Sequence, residues 1–217
     1  MMITTDFILN SLLVLVVLLN FPMLGSSRMQ AVIRTVALQG FLLGLMPLVG
    51  HNQIRWELLV ICLLTMAIKG AFIPGLLNRA LREVRIQREV APVLGFTPSI
   101  LLGGLGTGLA VLFANTLPLA PNQANTLILP ASFSTVLTGF LILTTRQKAI
   151  TQVVGYLTLE NGIFIFGLLL LDAMPFLVET GVLLDLSVGV FVMGIILRYI
   201  QRTFSSLEAA PLAIIQE

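Results

Sequence analysis

The chain has 217 residues, of which 57% are hydrophobic and only 10% charged. A soluble domain of this size carries about a quarter of its residues as charges, so the composition excludes a soluble enzyme or binding module. The formal net charge of +2 gives no indication of a nucleic-acid partner, and membrane topology accounts for the basic residues.

Seven apolar stretches follow one another: 7–25, 29–49, 54–78, 98–119, 125–145, 148–171 and 175–200. Each approaches the ~20 residues that a helix needs to cross the hydrocarbon of a bilayer. They are continuous and lack the period-two alternation of a barrel strand. The predicted fold is therefore all-α, a polytopic membrane protein of about seven transmembrane helices. The opening "MMITTDF" has no basic segment of the kind that begins a cleavable signal peptide. His51 falls in a loop without companion ligands and Cys62 in an apolar run, which leaves no set of side chains for a metal cluster and no intrachain disulfide. In the fourth stretch, "GGLGTG" (103–108) suits close helix contact through small residues. It lacks the strand-to-helix setting of a phosphate-binding loop.

Basic residues orient the chain. Arg28, Arg34, Arg79, Arg82, Arg85, Arg88, Arg146, Lys148, Arg198 and Arg202 fall on one side, and only Arg55 falls on the other. Lysine- and arginine-rich loops stay in the cytoplasm, so the N-terminus is expected outside and the C-terminus inside.

Four charges lie well within the spans: Lys69, Glu160, Glu179 and Asp185. Glu160 stands 12 residues after position 148, or about 18 Å into its helix. Asp185 stands 10 residues after position 175, or about 15 Å in from the opposite face. In a core of ~30 Å both are near the midplane, on helices joined by the short "DAMP" turn. A carboxylate at that depth costs roughly 2.5–3.5 kcal/mol on insertion scales. Desolvation and a like-charged neighbour both favour protonation, which suits such acids to a proton relay. The alternative is that they serve as interhelical hydrogen-bonding groups. Lys69 lies about 22 Å from the outer end of the third span. Either it snorkels to the cytoplasmic interface or it acts as an internal cation that tunes the carboxylates, beside carbonyls freed by Pro74. Glu179, about 6 Å from the outer face, is a possible accessory group or a snorkelling carboxylate.

These residues carry a resemblance. "GYLTLEN" and "LLDLSVGVFV" are similar to the two acid-bearing motifs of complex I subunit K, matching Glu160 and Asp185, with aspartate in place of the second glutamate. Over its whole length, with Lys69 in the third span and "ENG" at 160–162, the chain resembles the family of hydrogenase-4 component E, a membrane subunit of the formate hydrogenlyase type. The resemblance implies three regions: a five-helix membrane extension (1–145), a subunit K-like helical region (146–204) and a cytoplasmic tail (205–217). It implies a non-catalytic, multi-pass subunit of the inner (cytoplasmic) membrane, with Glu160, Asp185 and Lys69 on a proton path. The parent assembly would be a group 4 nickel–iron hydrogenase or a complex I-like proton-translocating oxidoreductase. The expected partners are antiporter-like and complex I-like membrane subunits, the lipid bilayer and a soluble hydrogenase-like redox arm that carries the nickel–iron and iron–sulfur centres. No cofactor is expected on this chain. A cation/proton antiporter subunit and a structural scaffold remain the alternatives. A retinal protein is set aside, because the seventh span has no lysine.

A topology reporter fused after Glu217 is expected to read cytoplasmic, and one inserted within 120–125 to read external. The opposite pair of readings would overturn the orientation.

Overall fold

A computed structural model describes residues 2–50, 56–83, 93–117, 126–170 and 194. The described residues form helices and connecting turns, with no strand among them. The helices are α1 (Met2–Gly25), α2 (Met29–Gly50), α3 (Trp56–Thr65), α4 (Ile73–Glu83), α5 (Phe96–Ala114), α6 (Ile128–Thr145) and α7 (Ala149–Gly167). A π-helical turn, Met66–Phe72, joins α3 to α4, and a 3₁₀ turn, Leu168–Leu170, follows α7. Four stretches are long and apolar enough to cross a membrane: Asp6–Gly25, Met29–Val49, Phe96–Ala114 and Ile128–Thr145. Helix also runs through the described parts of the third and sixth predicted spans, from Trp56 and from Ala149. The third is interrupted by the π turn, and the sixth carries the polar residues around Glu160. Apart from Gly194, the seventh predicted span, with Glu179 and Asp185, lies outside the described residues, as do His51 and Arg55.

Short polar turns set the neighbours. Ser26–Arg28 reverses the chain between α1 and α2, where the Arg28 N–H donates to Ser26 Oγ at 3.2 Å and the Ser26 N–H to the Pro22 carbonyl at 3.0 Å. Arg146–Lys148 does the same between α6 and α7, and Gln152 Nε2 closes the turn on the Arg146 carbonyl at 3.2 Å. Helices joined so tightly lie side by side and antiparallel. The two hairpins pack together as a ring in the order α1, α2, α7, α6. The α3–π–α4 segment lies against α2, and α5 lies across α1 and α6. Arg146, buried at this end, donates from Nη2 to the Leu24 carbonyl at 2.6 Å and so caps the C-terminus of α1. Its guanidinium also lies 5.0 Å from the Phe96 ring centroid. A cation at a helix C-terminus meets the negative end of the backbone dipole.

The core is layered. One apolar cluster gathers Met23, Leu24, Ile33, Val36, Leu77, Ile142 and Leu157 near the two turns. A second gathers Leu13, Val16, Leu43, Met46, Ala131 and Ile165 toward the other end. Both clusters draw on helices from either side of position 145. Between them, each ring helix contributes buried polar side chains: Asn20, Gln39, Thr135, Glu160 and Asn161. The outer face of α5 is apolar and exposed at Leu101, Leu105 and Leu112, as a helix turned toward lipid requires.

Small residues set the tightest helix contacts, but mostly outside "GGLGTG". Within that motif Gly103 faces the Leu24 side chain, whereas a Cβ on Gly108 would meet nothing within 4 Å. The closest crossing joins α6 to α7. There a Cβ on Gly155 would stand 2.9 Å from the Leu143 amide nitrogen and 3.1 Å from the Gly139 carbonyl. One on Gly162 would stand 2.6 Å from the Val136 nitrogen. These obstacles are backbone atoms, which have no rotamer by which to retreat. Gly155→Ala is therefore expected to destabilise the protein by ~1–3 kcal/mol. Gly108→Ala, in open space, is expected to be neutral or to stabilise it by up to ~1 kcal/mol. Thermal unfolding of the purified protein in detergent reads both.

Candidate functional site

The site is a buried ion pair at the middle of the bundle. Lys69 Nζ lies 3.6 Å from Glu160 Oε1, and the two side chains are only 4% and 5% exposed. Lys69 therefore turns inward and does not snorkel. Asn161, the next residue on α7, accepts from Lys69 Nζ through Oδ1 at 3.4 Å. Phe164, one turn further on, places its ring centroid 5.2 Å from the same ammonium. A single face of α7 thus offers the lysine a carboxylate, an amide oxygen and an aromatic ring, all of which favour a cation.

The π turn explains how Lys69 reaches this position. Its closing bond runs from the Ile73 N–H to the Ile68 carbonyl, five residues back, which widens the turn. The buried residues of this segment are Cys62, Thr65, Lys69, Ile73, Pro74, Leu77, Ala80 and Leu81. Across the π turn Thr65, Lys69 and Ile73 are four apart, a spacing that drifts around an ordinary α-helix of 3.6 residues per turn. The extra residue in the π turn offsets the drift and keeps Lys69 in line with the apolar residues on both sides. Pro74 follows the wide turn directly. It has no N–H to give to the carbonyl that an unbroken α ladder would offer it. The expected disturbance is therefore present, but it lies on the N-terminal side of Pro74 and contains Lys69.

Glycine lets α2 approach this turn. A Cβ on Gly40 would stand 2.7 Å from Lys69 Cβ and 2.9 Å from the Lys69 carbonyl oxygen. Gly44 lies in the same way against Met66, and a Cβ there would be 3.3 Å from the Cys62 carbonyl.

Beyond Lys69 the polar layer continues through carboxamides. Asn161 Nδ2 donates to Gln39 Oε1 at 3.1 Å. Gln39 Nε2 donates to Asn20 Oδ1 at 3.0 Å and to the Val16 carbonyl at 3.3 Å. Asn20 Nδ2 donates to Thr135 Oγ1 at 3.1 Å. The ammonium is a pure donor, which obliges Asn161 to present its oxygen, and each later amide takes its direction from the one before it. Thr135, Asn20, Gln39 and Asn161 supply one member from each ring helix. Among the residues picked from sequence, Lys69 and Glu160 are brought together. Asp185 and Glu179 fall outside the described residues. The three amides and Thr135 carry no charge that would single them out in the sequence. Their signal is an uncharged amide in the centre of an apolar run, as in "LLNFP", "ALQGF" and "LENGIF".

Among the described residues no group of three or more His, Cys, Asp or Glu is placed to hold a metal ion. The arrangement can hold a positive charge against a carboxylate in an apolar setting.

No protein-family model matches the chain, and no solved structure matches it. The chain is similar to Uncharacterized protein Rv0085 of Mycobacterium tuberculosis (strain ATCC 25618 / H37Rv), with 32% identity over 184 residues that cover 83% of each chain.

The ion pair predicts an asymmetric mutational response. Removing one member strands a buried charge, at a cost of about 3–5 kcal/mol, whereas replacing both with apolar side chains is often neutral. Glu160→Leu is therefore expected to be more destabilising than the double variant Lys69→Met, Glu160→Leu. Denaturation of the two proteins in parallel checks the order.

Proposed function

The chain belongs to one family with that mycobacterial protein, and we propose that it acts as a proton-path subunit in the membrane arm of a group 4 nickel–iron hydrogenase or complex I-like assembly. In this reading the chain crosses the cytoplasmic membrane seven times with its N-terminus outside. It carries no redox centre and contributes intramembrane carboxylates to a lateral proton path. Glu160 exchanges the proton, Asp185 is the next carboxylate along the path, and Lys69 biases the charge of Glu160. Glu179 is an accessory group near the outer face.

One observation carries the reading. Glu160, the acid of the subunit K-like motif "GYLTLEN", is buried between two apolar layers and faces a lysine at 3.6 Å. A cation beside Glu160 favours the ionised form, and the apolar layers favour the neutral form. Opposed tendencies are what a group that loads and releases a proton requires. Motion of Lys69 toward or away from Glu160 would then move the proton.

A scaffold role is the second reading, favoured by the amide layer that ties the four ring helices together. A cation/proton antiporter assembly would use the same acids. It differs from the hydrogenase in lacking a nickel–iron large subunit among the proteins that co-purify with this chain.

The test is proton translocation per electron by the intact complex in proteoliposomes. Glu160→Gln keeps shape and hydrogen bonding but removes titration. Assembly is expected to be unchanged, and proton-coupled turnover to fall by ~10²-fold or more, the usual contribution of a positioned proton-transfer group. Asp185→Asn is expected to act in the same direction. Full translocation by the Glu160→Gln, Asp185→Asn double variant would reject the relay and leave the scaffold.

A further inference from the structure

We propose that Gln39 is the positioning residue of this site: through Asn161 it holds the Lys69 ammonium against Glu160, and it closes the α1–α2 side of the site to protons. The proposal deepens the proton-path reading and rests on it for its functional half, whereas its positioning half stands on geometry alone.

The geometry lies in the direction of the hydrogen bonds. At one end of the chain is Lys69, which only donates. Near the other is the Val16 carbonyl, which only accepts, 3.3 Å from Gln39 Nε2. Gln39 sits between them with no exposed surface. Both Nε2 protons have acceptors, Val16 O and Asn20 Oδ1 at 3.0 Å, so a flipped Gln39 would point its oxygen at two other oxygens. Its Oε1 must then face Asn161 Nδ2, at 3.1 Å, and Asn161 must present Oδ1 to the ammonium. The orientation is imposed twice, from the lysine and from the backbone of α1. Asn20 Nδ2, giving to Thr135 Oγ1, ends the series on a hydroxyl. Aligned amides polarise one another in a medium of low dielectric, so the oxygen offered to Lys69 is stronger than that of an isolated asparagine.

The same chain blocks proton transfer. An amide is neither an acid nor a base near neutral pH. To relay a proton it would have to protonate its oxygen or give up an N–H, and neither state is accessible without a large penalty. Three carboxamides in series, each with a fixed direction, therefore stand between the Lys69 ammonium and the Thr135 hydroxyl. A proton that reaches Glu160 leaves by another side. Water or hydroxyls in the same positions would conduct, which gives a physical reason for amides in this layer.

The test uses the full-length chain in lipid nanodiscs. Lys69 and Lys148 are the only lysines, so a Lys148→Arg protein labelled with ¹⁵N-lysine reports on Lys69 alone. An ammonium held in this way is expected to give a solvent-protected proton–nitrogen signal. Gln39→Met keeps length and approximate volume but removes both donors and the acceptor, and the signal is expected to be lost. Asn161→Ala, which removes the amide that touches Lys69, is expected to act alike and serves if Gln39→Met does not fold. Val36→Ala, a buried truncation one turn away on α2, is expected to leave the signal in place. Absence of a protected signal in the parent, survival of the signal in Gln39→Met or Asn161→Ala, or its loss in Val36→Ala would each overturn the proposal.

Translocation by the complex then separates the two halves. If Gln39→Met loses the signal while Glu160→Gln pumps fully, the proton-path reading fails and the positioning role stands. If Glu160→Gln is inactive and Gln39→Met keeps its signal, the reverse holds. Gln39→Glu places a titratable group in the chain and is expected to raise passive proton leak several-fold. An unchanged leak would overturn the blocking role.

Discussion

A lysine and a glutamate buried together in an apolar bundle constrain everything around them. Either charge alone in that interior would cost several kcal/mol, and the attraction between them offsets that cost only if the geometry is held and the remaining polar atoms are satisfied. The structure meets both conditions by layering. Two apolar clusters close the bundle at its ends, and one polar layer crosses the middle, with a side chain from each of the four ring helices. The layer is narrow: on α2, Gln39 falls between buried Val36 and Leu43. Polar groups at this depth have no water to fall back on, so the hydrogen-bond directions are set by the partners present.

The position of Lys69 depends on two features of backbone. The π turn adds a residue to one turn of the helix and brings the lysine into line with an apolar face that would otherwise drift away from it. The glycines of α2, above all Gly40, let that turn approach until side-chain volume is excluded. Bulges of this kind are common at functional sites because they hold a side chain off the regular ladder. Here the bulge is followed at once by Pro74, which removes the N–H that a regular ladder would need.

The chemistry-bearing charges were legible in sequence because a charge in an apolar run stands out whatever its partners. Lys69 and Glu160 were found on that basis, and helix placement followed from the length of the apolar runs. A cation that tunes the carboxylates is one of two readings of Lys69 in sequence, and the choice between it and snorkelling was not legible, since Lys69 and Glu160 are 91 positions apart (160 minus 69) and lie on segments with no sequence link. The amide layer was passed over because Asn and Gln are common in membrane helices as local hydrogen-bonding groups, and only their mutual placement makes a chain of them. The close α6–α7 crossing was missed for a related reason. "GGLGTG" is dense in glycine, but glycine matters where a second backbone comes near, and Gly139 and Gly155 stand singly in ordinary apolar runs. Pro74 marked a disturbed helix and gave no indication that a π turn would carry Lys69 itself.

The most direct test of this account is the distance between the two charges in a lipid bilayer. With ¹⁵N-lysine and ¹³C-labelled glutamate carboxyls in the Lys148→Arg protein, solid-state dipolar recoupling reads whether the Lys69 nitrogen lies beside a glutamate carboxyl. The account predicts a strong coupling, consistent with the 3.6 Å separation of Nζ and Oε1, that disappears when Glu160 is replaced by glutamine. A Lys69 nitrogen with no coupling to any glutamate carboxyl, or one whose coupling survives Glu160→Gln, would contradict it.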